Sequence, residues 1–190
     1  MFMFLALTKK YLRWEHAFLK GKTDLQKQLW QILVFLVRFN ILAIPLYFFL
    51  IFPFDTFAIQ AFTAKIIAAM LSLSGVSVAV VDGITFYLPA HNWYIQIIKD
   101  CIGWKSMLAL FGMIFAVRGI GIKKRLYGML AGVPLIFALN LIRIYSSILI
   151  TTKVGIMHYY LIHDFLWQFG LVAVVLGIWW GWMKWAKELQ

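Results

Sequence analysis

The sequence predicts an all-α polytopic membrane protein with about four transmembrane helices, one interfacial or re-entrant helix, and a small extracytoplasmic β-hairpin or sheet. Of its 190 residues, 64% are hydrophobic and 13% are charged, whereas about a quarter of the residues of a soluble domain are charged. The apolar residues form long runs, and about 20 such residues suffice for a helix to cross a bilayer. The basic residues behind the net charge of +11 lie mainly outside these runs, which indicates membrane orientation rather than nucleic-acid binding.

Four apolar runs are predicted to cross the membrane, and they comprise residues 29–52, 101–117, 126–150 and 165–183. The first run contains Arg38, which we interpret as structural, and it follows a basic segment over residues 1–28. Residues 57–73 predict a helix of different character, because Gln60 and Lys65 interrupt its apolar residues. Such a helix suits the membrane interface or a re-entrant position.

Strand signals lie between this helix and the only cysteine of the chain. Two β-branched and aromatic runs, 76–81 and 84–88, flank Asp82-Gly83, and Asp-Gly between such runs is a strong hairpin signal. Residues 94–98 can add a third strand. Because open strands are not tolerated in lipid, we expect this sheet at the membrane surface. The chain is thus predicted to be one membrane domain over residues 1–190, with an extracytoplasmic part over 53–100 and a helical core over 101–190.

Charge distribution predicts the orientation of the spans. Most Lys and Arg residues outside the spans lie in the N-terminal segment, the 118–125 loop and the tail after residue 183, so all three should be cytoplasmic. Four crossings satisfy this condition only if residues 57–73 do not cross. Cys101 then begins the second span at its outer end, and Arg143 lies about 10 Å below the outer end of the third. His163 precedes the fourth span, so all three residues share one layer.

That layer carries the groups of a thiol-based site. A helix N-terminus and a nearby cation such as Lys105 favour the thiolate of Cys101. Arg143 costs several kcal/mol inside a span unless it faces a partner or a wet cavity, and it is suited to stabilise an oxyanion. Asn140 and Ser147 share the helix face of Arg143. Each residue alone has a simpler interpretation: the cysteine as a packed core residue, the arginine as one that snorkels to the headgroups, and the histidine as an interfacial residue. Together they predict a membrane-embedded cysteine acyl transferase or peptidase.

The general base is predicted to be His163, which can take and return the proton of the nucleophile and the leaving amine. His158 is the alternative base, and Asp164 or Asp100 is a candidate for orienting the histidine. The sequence contains no metal-ligand cluster, phosphate loop, haem motif or nucleotide motif, so we expect neither a cofactor nor a metal.

The order Cys-x-Gly, Asn-x-x-Arg and a histidine opening the last span resembles the exosortase/archaeosortase family of membrane cysteine transpeptidases. Here these motifs are 101–103, 140–143 and 163–170, and the resemblance extends over about residues 61–181. It implies catalysis by Cys101, Arg143 and His163 at the extracytoplasmic face of the cell membrane. The implied substrates are secreted proteins with a C-terminal motif, a transmembrane helix and a basic tail. After cleavage, the acyl group would pass from a thioester to a cell-surface acceptor such as a lipid.

Two other classes stay open from the sequence. A small transporter or channel would use Arg143 and Asn140 as a polar lining, and it would have no use for Cys101. A non-catalytic scaffold for envelope assembly would contain an inert cysteine. Two features depart from the family pattern. Ile102 occupies a position where many members of the family carry a small or hydroxylated residue, and the chain is short.

Overall fold

A computed structural model describes residues 14–15, 17–51, 55–155 and 169–188. The structure is mostly helical with one small sheet. Its helices are α1 (Asp24–Ile51), α2 (Phe57–Leu73), α3 (Trp104–Ala116), α4 (Ile122–Val154) and α5 (Leu171–Glu188), and its strands are β1 (Ala79–Val80), β2 (Thr85–Leu88) and β3 (Trp93–Gln96). The chain divides into two compact units, residues 1–38 and residues 39–190.

The first unit contains more structure than its basic composition suggested. Thr23 and Gln26 form a reciprocal capping box at the start of α1, with contacts of 3.1 and 3.3 Å. The Trp30 indole donates to the Glu15 carboxylate at 2.8 Å, and Phe18 packs against the Trp30 ring. Because of this cap, α1 begins at Asp24, ahead of the predicted start of the first span. The helix continues through Pro45 to Ile51.

The predicted strands form an antiparallel sheet of order β1-β2-β3. The turn at Asp82-Gly83 is longer than the two-residue hairpin turn that this dipeptide favours, since Val81 donates to the Thr85 carbonyl at 2.9 Å. The Asp82 carboxylate accepts the backbone N–H groups of Ile84 and Thr85 at 3.1 and 2.7 Å. These bonds, led by the one from Ile84, lower the pKa of Asp82. Gly83 has a φ of +86°, which glycine adopts without strain.

The sheet packs against α2 and α4 through a shared apolar core. Phe86 and Leu88 of β2 are fully buried, as are Ile67 and Leu71 of α2. Ile148 of α4 completes this core, which also includes Cys101. The helix predicted to lie at the interface therefore uses its buried face to join the sheet to the helical part of the unit.

The second predicted span is shorter than expected, and it begins after the cysteine. Residues Lys99–Ile102 form a 3₁₀ turn, and α3 is a helix of 13 residues that starts at Trp104. Gly103 separates the two with a φ of +76°, a left-handed conformation that glycine adopts at low cost. Cys101 therefore lies ahead of α3 rather than in its first turn, which differs from the prediction.

The third predicted span is longer at both ends. α4 comprises 33 residues, or about 50 Å of helix. Lys123, Lys124 and Arg125, which were predicted to lie in a loop, form part of its first turns. Two of these basic side chains bind carbonyls near the ends of other helices: Lys124 Nζ donates to the Ala186 carbonyl of α5 at 2.9 Å, and Arg125 donates near the end of α3. Cations at helix C-termini are favoured by the carbonyl dipoles.

Arg125 joins the end of α3 to the start of α4. Its guanidinium donates to the carbonyls of Phe115, Val117 and Ile120 at 3.0, 2.8 and 3.0 Å. Replacing Arg125 with alanine is expected to destabilise the protein by about 2–3 kcal/mol, because carbonyls at a helix end lose charged donors. Unfolding by denaturant in detergent micelles measures the change. Lys123→Ala, an exposed neighbour, is the control, and an equal loss in both variants would contradict the capping role.

Small residues let α3 and α5 approach α4. A Cβ atom on Gly128 would lie 2.4 Å from Trp182 Nε1, and one on Gly132 would lie 2.5 Å from Leu110 Cδ2. The two glycines are four residues apart on one helix face, as in the small-residue interfaces of membrane helices. The sequence analysis did not single them out, although the Gly-x-x-x-Gly spacing was visible.

Two helices in the described part of the chain are long and apolar enough to cross a membrane, residues Asp24–Ile44 of α1 and all of α4. The helices α2 and α3 are apolar but shorter. The helical membrane fold with a small sheet agrees with the prediction, and the number of four spans stays a prediction.

Candidate active site

Cys101 lies in the 3₁₀ turn where the sheet connects to α3. Its side chain is 9% exposed, and its backbone N–H donates to the Ile98 carbonyl at 2.9 Å. Ile102, also buried, and the left-handed Gly103 fix the direction in which the chain leaves the turn. The cysteine is thus held between the sheet core and α4 rather than at a free helix end.

Asn140 of α4 connects this turn to Arg143. The Asn140 Nδ2 donates to the Cys101 carbonyl oxygen at 2.6 Å. Its Oδ1 accepts from Nε and Nη2 of Arg143 at 3.2 and 3.0 Å. Asn140 is fully buried and Arg143 is 7% exposed. The structure therefore brings the predicted nucleophile and the predicted cation into one hydrogen-bonded cluster.

The pKa of the Cys101 thiol is raised, chiefly by burial. A backbone hydrogen bond at Ile98 and the charge of Arg143 lower this pKa, and the charge of Asp100 raises it. The surroundings in the described part of the chain therefore favour the protonated thiol at neutral pH. A nucleophile of this kind needs a base to remove its proton.

Ser147 is buried on the same face of α4 as Asn140 and Arg143, as its spacing predicted, whereas Lys105 has a different partner from the predicted thiolate. Lys105 Nζ forms an ion pair with the Asp100 carboxylate at 2.9 Å, so its charge acts first on Asp100. Ser147 Oγ donates to the Arg143 carbonyl within α4 at 2.8 Å. Both are near the cluster, and the sequence analysis missed the ion pair because residues five positions apart do not share a helix face.

Of the remaining predicted site residues, His158, His163 and Asp164 lie outside the residues that the structure describes. The register of α5 on α4 shows where α5 begins relative to the cluster. Contacts step by four residues in opposite directions along the two helices, at Lys124–Ala186, Gly128–Trp182 and Gly132–Ile178. Two further steps of the same size would bring Gly170, which directly precedes α5, level with Asn140.

The described side chains around Cys101 do not form a set of metal ligands. Within the described ranges, no group of three or more His, Cys, Asp or Glu side chains is close enough to hold a metal ion. The polar groups around Cys101 are instead an amide, a guanidinium and one ion pair.

Comparison with known families adds an independent finding. Residues 18–181 match the model of the family described as transmembrane exosortase (Exosortase_EpsH). The chain belongs to the transmembrane exosortase family. This confirms the family inferred from the Cys-x-Gly and Asn-x-x-Arg motifs and the histidine that opens the last predicted span, and the match extends further toward the N-terminus than the resemblance did. Exosortases are transmembrane proteins and cysteine transpeptidases. No curated protein and no solved structure matches the chain.

Proposed function

We propose that this exosortase-family protein is a membrane-embedded cysteine transpeptidase that cleaves a C-terminal sorting signal from secreted proteins and transfers them to a cell-surface acceptor. The observation that carries the proposal is the buried cluster of Cys101, Asn140 and Arg143. A polar lining for a transport path would need no tie between these side chains and the cysteine turn. The cluster therefore favours the enzyme over a transporter or channel.

In the proposed reaction, His163 takes the proton of the Cys101 thiol as the sulfur attacks the scissile carbonyl carbon. The carbonyl oxygen becomes an oxyanion, and the fixed charge of Arg143 stabilises it. The C–N bond then breaks, and the departing amine takes the proton from His163. A thioester of Cys101 and the substrate's new C-terminal acyl group remains.

The second half of the reaction releases the thioester. An acceptor nucleophile attacks the same carbonyl carbon and gives its proton to His163, and the Cys101 sulfur leaves as a thiol after recovering a proton. A lipid or another amine at the cell surface would complete a transfer, and water would complete a hydrolysis. No metal or cofactor takes part in these steps.

The length of α4 supports a site on the extracytoplasmic face. About 20 helical residues cross the roughly 30 Å hydrocarbon core of a bilayer. With the basic residues Lys123 to Arg125 at the cytoplasmic boundary, that length of α4 ends near Leu141. Asn140 and Arg143 lie at this height, and the sheet core contacts Ile144 and Ile148 just beyond it. We therefore propose a multi-pass protein of the cytoplasmic membrane whose site faces outward.

Trapping the thioester tests the proposal directly. Membranes from cells that express the protein are denatured in acid, and the peptide containing Cys101 is analysed by mass spectrometry. The expected result is an acyl group on Cys101 that carries the sequence preceding the sorting signal and is released by hydroxylamine. A cysteine that remains unmodified under turnover, while substrate is still processed, would disprove the mechanism.

Replacing each of the two histidines with alanine tests which of them is the general base. His163→Ala is expected to lower the rate of thioester formation by about 10²- to 10⁴-fold, the usual contribution of a general base. His158→Ala should retain most of the rate, since His163 is the proposed base and His158 only the alternative. The two variants are compared at equal membrane abundance by the amount of acylated Cys101. The opposite ranking would transfer the role to His158.

A further inference from the structure

Asn140 uses both ends of its amide. The Nδ2 donates to a backbone carbonyl, and the Oδ1 accepts from a guanidinium. Only this orientation of the amide is complementary on both sides, because a carbonyl cannot donate and a guanidinium cannot accept. Asn140 is also fully buried, so neither contact competes with water.

The carbonyl that Asn140 holds belongs to Cys101 itself. The next residue but one, Gly103, packs against the same side chain: a Cβ atom there would lie 3.3 Å from Asn140 Cγ. The cysteine turn is therefore fixed by a hydrogen bond at residue 101 and by close packing at residue 103. Arg143 is fixed from the other side by two of its nitrogen atoms.

We infer that Asn140 is a positioning residue that holds the Cys101 turn and the Arg143 guanidinium in one arrangement, so that the cation acts on the sulfur. The catalytic consequence of this arrangement rests on the proposed function, whereas the hydrogen bonds that form the arrangement do not depend on the substrate. Asn140 acts through its neighbours and forms no bond with reacting atoms.

Other charged groups around the sulfur are few in the part of the chain that the structure describes. Asp100 and Lys105 form an ion pair on the cysteine's own side, and Arg143 approaches from α4. The elements that pack on the cysteine from α2 and β2 contribute apolar side chains to the core, and Lys65 of α2 is exposed. A change at Asn140 should therefore alter thiol reactivity mainly through Arg143 and the cysteine turn.

Two variants separate positioning from simple packing. Asn140→Asp has the same shape and keeps the acceptor for Arg143, but it replaces the donor to Cys101 with a carboxylate oxygen. Asn140→Leu has the same branching and removes both polar contacts. Thr151→Val is the matched control, since Thr151 is fully buried on the same helix and its hydroxyl donates only to the Ser147 carbonyl at 2.7 Å.

The experiment measures alkylation of Cys101 by iodoacetamide in the purified, detergent-solubilised full chain across the neutral to alkaline pH range. Asn140→Asp is expected to react about tenfold more slowly than wild type at neutral pH, since a thiol pKa one unit higher leaves a tenth of the thiolate. Its pH profile should move to higher pH. Asn140→Leu should react more slowly in the same direction, and Thr151→Val should match wild type.

Rates are normalised to the monodisperse, folded fraction from size-exclusion chromatography. A folded Asn140→Asp protein whose pH profile matches wild type would overturn the inference and leave Asn140 as a packing residue. Because the new carboxylate of Asn140→Asp by itself raises the thiol pKa, a slower reaction supports the inference only when the uncharged Asn140→Leu also reacts more slowly, and a folded Asn140→Leu that matches wild type would overturn it. If Asn140→Leu does not fold, Asn140→Ala takes its place. Because iodoacetamide needs no substrate, this result is independent of whether the protein proves to be a transpeptidase.

Discussion

Cells that produce the Cys101→Ala variant are expected to accumulate secreted proteins whose C-terminal transmembrane helix and basic tail remain uncleaved. The thiol is the group that forms the acyl bond in the proposed reaction, so its removal should lower processing to the uncatalysed rate. Comparative mass spectrometry of membrane fractions measures the uncleaved C-terminal peptides. Full processing by Cys101→Ala would exclude the cysteine mechanism.

The variant tests chemistry rather than folding, because the change in volume at Cys101 is small. Its side chain packs in the sheet core, and loss of one sulfur atom is expected to cost about 1 kcal/mol. Membrane abundance of the variant should therefore stay near that of wild type. Cys101→Ser adds a second comparison: a transporter or channel would retain its activity with serine, whereas a transpeptidase should lose nearly all of it.

Replacing Arg143 with alanine is expected to lower the rate of thioester formation by about 10²- to 10³-fold, the range found when one oxyanion-stabilising group is removed. The guanidinium supplies the positive charge beside the sulfur in the described site. Arg143→Lys keeps a charge but cannot donate through two nitrogen atoms in a plane. It should therefore retain an intermediate rate, measured as acylated Cys101 over time.

Arg143→Ala also leaves Asn140 Oδ1 buried without its guanidinium donors, which is expected to cost about 1–3 kcal/mol of stability. Rates are therefore compared per folded protein. Arg38→Ala is the control, since Arg38 also lies in a predicted span and has no proposed part in the reaction. If Arg38→Ala and Arg143→Ala lose activity equally, the charge at residue 143 has no specific role.

Local patterns in the sequence predicted the elements well where neighbouring residues decide the structure. Residues 57–73 were predicted as a helix, and α2 has these bounds. Asp82-Gly83 correctly predicted a turn between two strands, because both residues tolerate its backbone angles. The residues adjacent to Cys101 were harder to predict, since a 3₁₀ turn and a left-handed Gly103 break a run that is otherwise apolar and helical in composition.

The ends of the helices were predicted less accurately because distant residues decide them. Arg125 was predicted in a basic loop on its charge, but it lies inside α4 and its side chain bonds to three carbonyls near the end of α3. A sequence shows that a cation is near a helix end, and only the packed chain shows which carbonyl groups it can reach. The same holds for Lys124 and the end of α5.

The motifs around Cys101 and Arg143 were sufficient to predict the family and the candidate nucleophile and cation, because their order and spacing are properties of the chain itself. The contact between them was not predictable, since residues 101 and 140 meet only when α3 folds back along α4. That packing brings the Cys101 carbonyl to Asn140 and buries the thiol so that its pKa rises. Sequence spacing defines which groups are present, while burial and distance define their charge state and their partners.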